Sequence, residues 1–171
     1  AAMSTKLLGD YMTVAFNLLI ILLIALATNG KVASIHSREG AAAYLNKTRP
    51  NEYRTNIIAK LVPNAVVMSI SIIASTIVFG AFTSLSSINV ILFGATAVFV
   101  FLMHLLWSAE MDIMNPQYTQ YATTGEHNNN PNETKSTVTM FIMSVLFVGV
   151  AFLLSLENMK VAWLKVVLIA F

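Results

Sequence analysis

Long uncharged stretches alternate with polar segments along this chain. Residues 11–28, 61–109 and 136–156 contain no Asp, Glu, Lys or Arg. About 20 apolar residues in a helix cross a hydrocarbon core of about 30 Å, so the first and third stretches each predict one span and the middle stretch predicts two. We therefore expect an all-α fold, a polytopic transmembrane helix bundle with full spans at about residues 7–28, 61–82, 88–107 and 136–155 and a truncated fifth at 161–171.

Two long polar segments, residues 29–60 and 108–135, connect these spans. Two predicted spans separate them, so both segments are expected on the same side of the membrane. That side carries seven of the ten Lys and Arg residues, six of them in the first segment. Because loops rich in Lys and Arg stay in the cytoplasm, we expect both segments to be cytoplasmic loops of an integral protein of the bacterial plasma membrane.

Both ends of the chain suggest a part of a longer protein. The sequence opens with Ala1 and no obvious start, and it closes inside the apolar run 161–171, which is too short to span. We treat residues 1–171 as one transmembrane domain.

The first cytoplasmic loop has the pattern of two short helices. Val32, Ile35, Ala42 and Leu45 recur at roughly helical spacing, which predicts a short amphipathic helix. A second helix can begin after Pro50 and continue into the span at 61–82. Amphipathic elements at the mouth of a helix pair either lie on lipid headgroups or dock on a soluble partner.

Composition narrows the possible chemistry. Only 11% of the residues are charged and 57% are hydrophobic, against about 25% charged in soluble domains. There are no cysteines, no P-loop, no H-E-x-x-H and no G-x-S-x-G sequence. We therefore expect that this chain is not an enzyme and holds no cofactor or metal of its own. A basic loop beside a bilayer favours lipid or protein partners over nucleic acid.

Two runs of residues resemble one family. Ser37-Arg38-Glu39-Gly40 is followed by Tyr44, Lys47, Pro50 and Ala59-Lys60-Leu61, and this order resembles the first cytoplasmic loop of ABC-2-type permeases. Those permeases are the membrane subunits of ATP-driven exporters. The second loop carries Asp112, Pro116, Asn132-Glu133 and Lys135, which is similar to a "D-x-x-x-P-K … N-E … K" run in the same proteins. Arg49 departs from the family pattern, and the stretch between Pro116 and Asn132 is longer, Asn-rich and without the customary tryptophan.

The resemblance implies a coupling role for the first loop. In such transporters a short cytoplasmic helix sits in a groove of the ATPase subunit and passes nucleotide-driven movement to the spanning helices. Candidate contacts to that subunit are Arg38, Glu39, Tyr44, Lys47 and Pro50, while the motif of the second loop comprises Asp112, Pro116, Asn132 and Glu133. The resemblance also implies ATP and Mg on the partner, a second permease domain (identical or different) and contacts with membrane lipids. A solvated surface pair is the alternative for Arg38 and Glu39.

His104 is a titratable residue predicted to lie within a span, near its cytoplasmic end. Such residues are candidates for proton relays or substrate contacts. A hydrogen-bonded histidine at the interface is the competing interpretation. Asn17 and Asn64 are polar candidates for contacts between helices.

Three hypotheses for function follow. The first is a permease subunit of an ABC exporter that moves a substrate using ATP hydrolysed by its partner. The second is a non-catalytic membrane sensor or assembly subunit whose basic loop binds lipid. The third is a membrane enzyme whose catalytic residues lie outside this segment.

Overall fold

The computed structural model describes residues 5–45, 53–83, 86–125 and 129–155, and within these ranges the regular structure is entirely helical. The elements are α1 (Thr5–Ala27), α2 (Asn29–Val32), the 3₁₀ helix η1 (Ser37–Tyr44), α3 (Tyr53–Ala81), α4 (Ser87–Met114), α5 (Tyr118–Thr124) and α6 (Pro131–Ser155). The predicted all-α fold is therefore confirmed. The fifth span predicted at 161–171 lies outside the described residues.

Among the described residues, four segments are long and apolar enough to cross a membrane, and they contain α1, α3, α4 and α6. Each of these helices leaves large apolar side chains uncovered, including Phe16, Ile77, Ile91 and Leu146. In lipid such surfaces need no protein cover, so their exposure fits helices that contact acyl chains. The chain is a membrane protein by this criterion.

The helices extend beyond the predicted spans into the predicted loops. α3 already begins at Tyr53, which confirms the helix expected after Pro50, and Pro63 therefore lies in its interior. α4 continues to Met114, and α6 begins at Pro131. Much of segment 108–135, predicted as loop, is thus helical, and α5 is an additional short helix within it.

The early start of α6 has a local cause. The side chain of Asn130 accepts a hydrogen bond from the backbone N–H of Asn132 at 2.9 Å, and its carbonyl accepts from the N–H of Thr134 at 3.1 Å. Asn is a favoured N-cap residue, and Pro131 occupies the first helical position, where a missing N–H costs nothing. The Asn-rich run therefore ends in a helix start.

The Asn29-Gly30 pair, a typical helix stop, lies directly after the end of α1. α1 ends at Ala27, and the short α2 begins at Asn29. Asn29 is fully buried and its side chain bonds to neighbouring helices. The pair therefore marks the junction between α1 and α2.

The described residues belong to two compact units. The first draws on Ala1–Ala25, Ser69–Phe101 and Phe141–Phe171, and the second on Leu26–Met68 and Leu102–Met140. In the first unit the buried side chains are mainly apolar, among them Leu18, Leu22, Phe93 and Phe101. The second unit is described with the candidate site.

Glycines bring α3 and α4 together in the first unit. A Cβ at Gly80 would lie 2.7 Å from Val90 Cγ1, and one at Gly94 would lie 3.0 Å from the methyl group of Thr76. The rings of Phe79 and Phe93 stack with centroids 5.0 Å apart. Small residues allow this close helix packing in the absence of a hydrophobic driving force.

Replacing Gly80 by Ala should destabilise this helix pair. The new methyl group meets the stiff, β-branched Val90, and overpacking of this kind costs about 1–3 kcal/mol. Gly149→Ala on α6 is the matched control, because a Cβ added at Gly149 would meet nothing within 4 Å. We expect the thermal unfolding midpoint in detergent to fall for Gly80→Ala alone; equal midpoints for both variants would contradict the packing.

Candidate functional site: a polar junction around the 3₁₀ helix

The second unit has a polar interior. Its buried polar side chains are Asn29, Ser34, His36, Ser37, His104, Ser108, Asp112, Asn130, Asn132 and Ser136. Buried polar groups are expensive unless they are hydrogen-bonded, so their partners define the arrangement. We call the set of contacts that holds η1 to α3, α4, α5 and α6 the polar junction.

Asp112 on α4 is the centre of the polar junction. It is 0% exposed, and its Oδ2 accepts the backbone N–H groups of His36 at 2.7 Å and Ser37 at 2.9 Å. The Ser37 hydroxyl donates to Oδ1. A carboxylate at the first N–H groups of a helix satisfies donors that have no partner inside that helix. Asp112 thus fixes the start of η1.

Residues of the second loop provide further hydrogen bonds around Asp112 and Ser37. Asn132 on α6 donates through Nδ2 to Asp112 Oδ1 at 3.2 Å and to the carbonyl of Asn115 at 2.8 Å. The N–H of Gln117 donates to the Ser37 hydroxyl at 2.8 Å. The two loop motifs of the sequence therefore meet in one hydrogen-bond network.

Gly40 allows η1 to approach α5. Its backbone has φ 51° and ψ −124°, which makes a kink within η1. A Cβ at this position would lie 3.1 Å from the backbone N of Ala122 and 3.2 Å from the carbonyl oxygen of Tyr121. Glycine is required here both for the positive φ and for the close approach.

Glu39 points into the protein and ties η1 to α3. Its carboxylate forms an ion pair with Lys60 and accepts a hydrogen bond from Asn56 Nδ2 at 3.5 Å. His36 Nδ1 lies 3.5 Å from the other carboxylate oxygen. The Glu39 side chain is only 15% exposed, so its charge is used within the chain.

Arg38 points outward and reaches α6. Its Nε donates to Ser34 Oγ at 3.0 Å, and its guanidinium lies 3.4 Å from Glu133. Lys31 approaches the same carboxylate at 3.2 Å. With 45% of its side chain exposed, Arg38 keeps a surface that a partner can reach.

His104 belongs to a buried network inside the same unit. Its Nε2 lies 3.1 Å from the carbonyl oxygen of Ser136, which can only accept, so Nε2 carries the proton. Its Nδ1 then accepts from the Asn29 amide at 3.1 Å, and Asn29 accepts from Asn64 at 3.1 Å. These partners join α2, α3, α4 and α6 around a neutral imidazole.

The structure separates the candidate partner contacts into groups. Tyr44 is 64% exposed at the end of η1, and Arg38 is partly exposed, whereas Glu39 faces inward. Lys47 and Pro50 lie outside the described residues. Among the second-loop candidates, Asp112 and Glu133 bond to the η1 region, and Asn132 bonds to Asp112. Pro116 lies half-buried between α4 and α5.

The residues of the amphipathic pattern predicted in the first loop do not all lie on one side. Val32 is buried and Ile35 half-buried, while Ala42 and Leu45 are exposed. Within η1 the buried residues are Ser37 and Gly40. Hydrogen bonds to Asp112 and contact with α5 decide the orientation of η1.

Two residues of the polar junction were not singled out by sequence reasoning. Asn56 and Tyr118 carry contacts, yet each is a single polar residue with no local pattern. Lys60 lies in a run shared with the resembled family, but nothing in its spacing indicates that it pairs with Glu39.

In the described part of the chain no group of three or more His, Cys, Asp and Glu side chains is arranged to hold a metal ion. The oxygens of Asp112 accept from N–H and O–H donors. The polar junction can therefore hold segments together and present a surface.

Comparison with known proteins gives no assignment: no family model matches the chain, and neither a curated protein nor a solved structure matches it. Functional inference therefore rests on the residues and contacts above.

Asp112→Asn should release the start of η1. The amide places an NH₂ group where one carboxylate oxygen accepts, which leaves a buried donor facing donors at a cost of about 2–3 kcal/mol. Glu110→Gln is the matched control, because Glu110 is exposed on the same helix. We expect faster hydrogen exchange of the η1 amides in Asp112→Asn only; unchanged exchange would contradict the central role of Asp112.

Gly40→Ala should open the contact between η1 and α5. Gly125, which ends α5 at φ 73°, is the control because a Cβ there would meet nothing within 4 Å. Both substitutions impose a positive φ on alanine, at about 1–3 kcal/mol. Gly125 (ψ −11°) lies in the left-handed helical region, whereas Gly40 (ψ −124°) lies outside it, and only Gly40→Ala also adds a steric conflict. Limited proteolysis of the loops should be faster for Gly40→Ala than for Gly125→Ala, and equal rates would remove the close approach as a cause.

Proposed function

We propose that this chain is a permease subunit of an ATP-driven exporter of the ABC-2 type. It moves a substrate across the plasma membrane with energy from ATP hydrolysed by a partner subunit. The partner subunit binds η1. The observation that carries the proposal is the orientation of η1: Ser37, Glu39 and Gly40 face inward, whereas Arg38 and the exposed residues that follow form an outer face that a partner can reach.

The outer face of η1 has the chemistry of a docking surface. It presents the guanidinium of Arg38 beside four exposed residues, Ala41, Ala42, Tyr44 and Leu45. Exposed aromatic and apolar groups next to an Arg are typical of residues that contribute most to protein interfaces. A groove on a soluble ATPase can bury such a face.

The inner contacts of η1 suit a mechanical role. Ser37 is bonded to α4 through Asp112, Glu39 to α3 through Lys60, and Arg38 to α6 through Glu133. A displacement of η1 would be transmitted through these contacts to three helices that are long enough to span the membrane. Rigid connections of this kind convert movement at one site into rigid-body movement elsewhere.

A second candidate is a sensor or assembly subunit held at the membrane surface by its basic loop. Among the described residues of the second unit, Glu39, Asp112 and Glu133 are at least partly buried and Glu110 is exposed. Of the basic residues, Lys60 is partly buried, and four are exposed: Lys31, Arg38, Arg54 and Lys135. This segregation favours a positive surface, and anionic headgroups attract each basic residue with about 1 kcal/mol. The test below separates the two candidates.

Arg38→Glu should abolish association with a P-loop ATPase. The variant reverses the charge of the guanidinium on the outer face of η1, so a partner that recognises the cation should dissociate. Glu133→Gln is the matched control, because it removes the same internal ion pair and leaves the outer face intact. The measurement is affinity purification in mild detergent with mass spectrometry of the proteins retained.

Retention of a stoichiometric ATPase by the parent chain and by Glu133→Gln, with loss in Arg38→Glu, supports the permease. Purification of the parent chain without any ATPase contradicts it. Dependence of liposome binding on total loop charge, with no ATPase retained, supports the lipid-bound sensor.

A further inference from the structure

Asn17 places a side-chain amide on α1 within the membrane-spanning region. It lies in the uncharged stretch 11–28, about 9 Å past the start of that stretch at about 1.5 Å per residue. A hydrocarbon core of about 30 Å therefore surrounds the amide. Because lipid supplies no hydrogen bonds, polar groups at this depth need partners from protein.

The hydrogen bonds of Asn17 stay on its own helix. Its Nδ2 donates to the carbonyl of Thr13 at 2.8 Å, and the Thr13 hydroxyl donates to the carbonyl of Gly9 at 2.9 Å. Among the described residues, no donor reaches Asn17 Oδ1. An amide has two donor hydrogens and an acceptor oxygen, so the oxygen and one hydrogen of Asn17 have no partner there.

Other amides of the spans are bonded between helices. Asn29 bonds to His104 and accepts from Asn64, and it is fully buried. Asn17 is half-buried instead, and it borders a face of α1 on which Phe16 is exposed. A second helix that packs on this face can therefore reach the amide.

A second copy of the chain is the partner that this position favours. Two copies inserted in the same orientation are related by a twofold axis along the membrane normal, so identical residues lie at the same depth. Their α1 helices are then parallel, and the Asn17 amide of one copy can meet that of the other. Each amide carries both a donor and an acceptor, so the pair satisfies itself. A different protein would have to present a polar side chain at the same depth.

The same side of α1 allows a close approach. Gly9, Thr13 and Asn17 recur every four residues and so lie on one side of the helix. A Cβ added at Gly9 would meet nothing within 4 Å, and Thr13 is exposed. Interfaces between spanning helices are enriched in such small residues, because they let the backbones come close enough for side chains to bond across the pair.

We propose that this chain forms a symmetric dimer in the membrane through α1, with the two Asn17 amides hydrogen-bonded to each other. This inference goes beyond the permease proposal, because it follows from the cost of an amide in lipid and does not depend on what the chain transports. It makes a second copy of the chain the partner of α1 within the membrane.

Disulfide crosslinking in lipid vesicles tests the position of the interface. The chain has no cysteine, so a single introduced thiol reports on one position. Thr13→Cys places the thiol on the proposed interface. Leu146→Cys is the matched control, because Leu146 is an exposed side chain within the span formed by α6.

The full chain is reconstituted at low density in phosphatidylcholine vesicles and then oxidised. We expect a covalent dimer for Thr13→Cys and none for Leu146→Cys. No crosslink at Thr13→Cys, or equal crosslinking of the two variants, would overturn the proposal.

Replacement of the amide tests its contribution to the dimer. Energy transfer between copies labelled with donor and acceptor fluorophores is measured as the vesicles are diluted with lipid. We expect dimerisation to be about tenfold weaker in Asn17→Leu, the size of interhelical amide bonds in membranes. Asn17→Gln is the matched control, because it keeps an amide on the same side of α1.

The Asn17→Leu monomer should remain folded, because Asn17 bonds only to its own helix among the described residues; an unchanged thermal unfolding midpoint checks this. Equal dimer affinity of the parent chain and Asn17→Leu would overturn the proposal. Equal losses in Asn17→Leu and Asn17→Gln would also overturn it, since the amide would then not be the cause.

Discussion

A carboxylate with no access to solvent must collect its hydrogen bonds from the protein, and this requirement on Asp112 organises the second unit. Its donors come from the backbone at the start of η1, from the Ser37 hydroxyl and from Asn132 on α6. Removing any one donor leaves a charged acceptor short of partners, which is more costly than the loss of an ordinary surface contact. The two loops are therefore fixed to each other through one side chain of α4.

The run Ser37-Arg38-Glu39-Gly40 acquires a physical explanation from this arrangement. Ser37 bonds to Asp112, Arg38 to Ser34 and Glu133, and Glu39 to Lys60, while Gly40 makes room for α5. Three of the four face inward, and only Arg38 keeps a substantial outer surface. The main role of this run is therefore to fold the first loop. Recognition of a partner depends on Arg38 and on the exposed residues that follow the run.

Hydrophobic runs were enough to predict the helical fold and the four spans, because apolar length is a direct requirement of the bilayer. The ends of the helices could not be predicted from apolar length. α6 begins at Pro131 because Asn130 caps it, and α4 extends past Trp107 because Asp112 is bonded within the protein. Segment 108–135 was therefore predicted as loop from its composition, although most of its described residues are helical.

Sequence patterns predicted the contacts of the polar junction least well. Asp112, Asn132 and Glu133 were recognised as members of a motif. The role of Asp112 and Glu133 as partners of the η1 region depends on contacts between residues about 75 to 100 positions apart. Helical spacing grouped Val32, Ile35, Ala42 and Leu45 on one face, but the hydrogen bonds of Ser37 and the backbone of Gly40 leave Ala42 and Leu45 exposed. Tyr118 had no local signal, because its hydrogen bond to His36 spans 82 positions.

Asp112 and Ser37 should act as one unit in holding η1, and a double-mutant cycle is the sharpest check of that coupling. The opening free energy of the η1 amides is measured by hydrogen exchange for the parent chain, Ser37→Ala, Asp112→Asn and the double variant. If the two side chains are coupled, the double variant loses less than the sum of the single losses, with an interaction energy of about 1 kcal/mol or more. Simple additivity would show that the two side chains act independently, and the polar junction would then not depend on their contact.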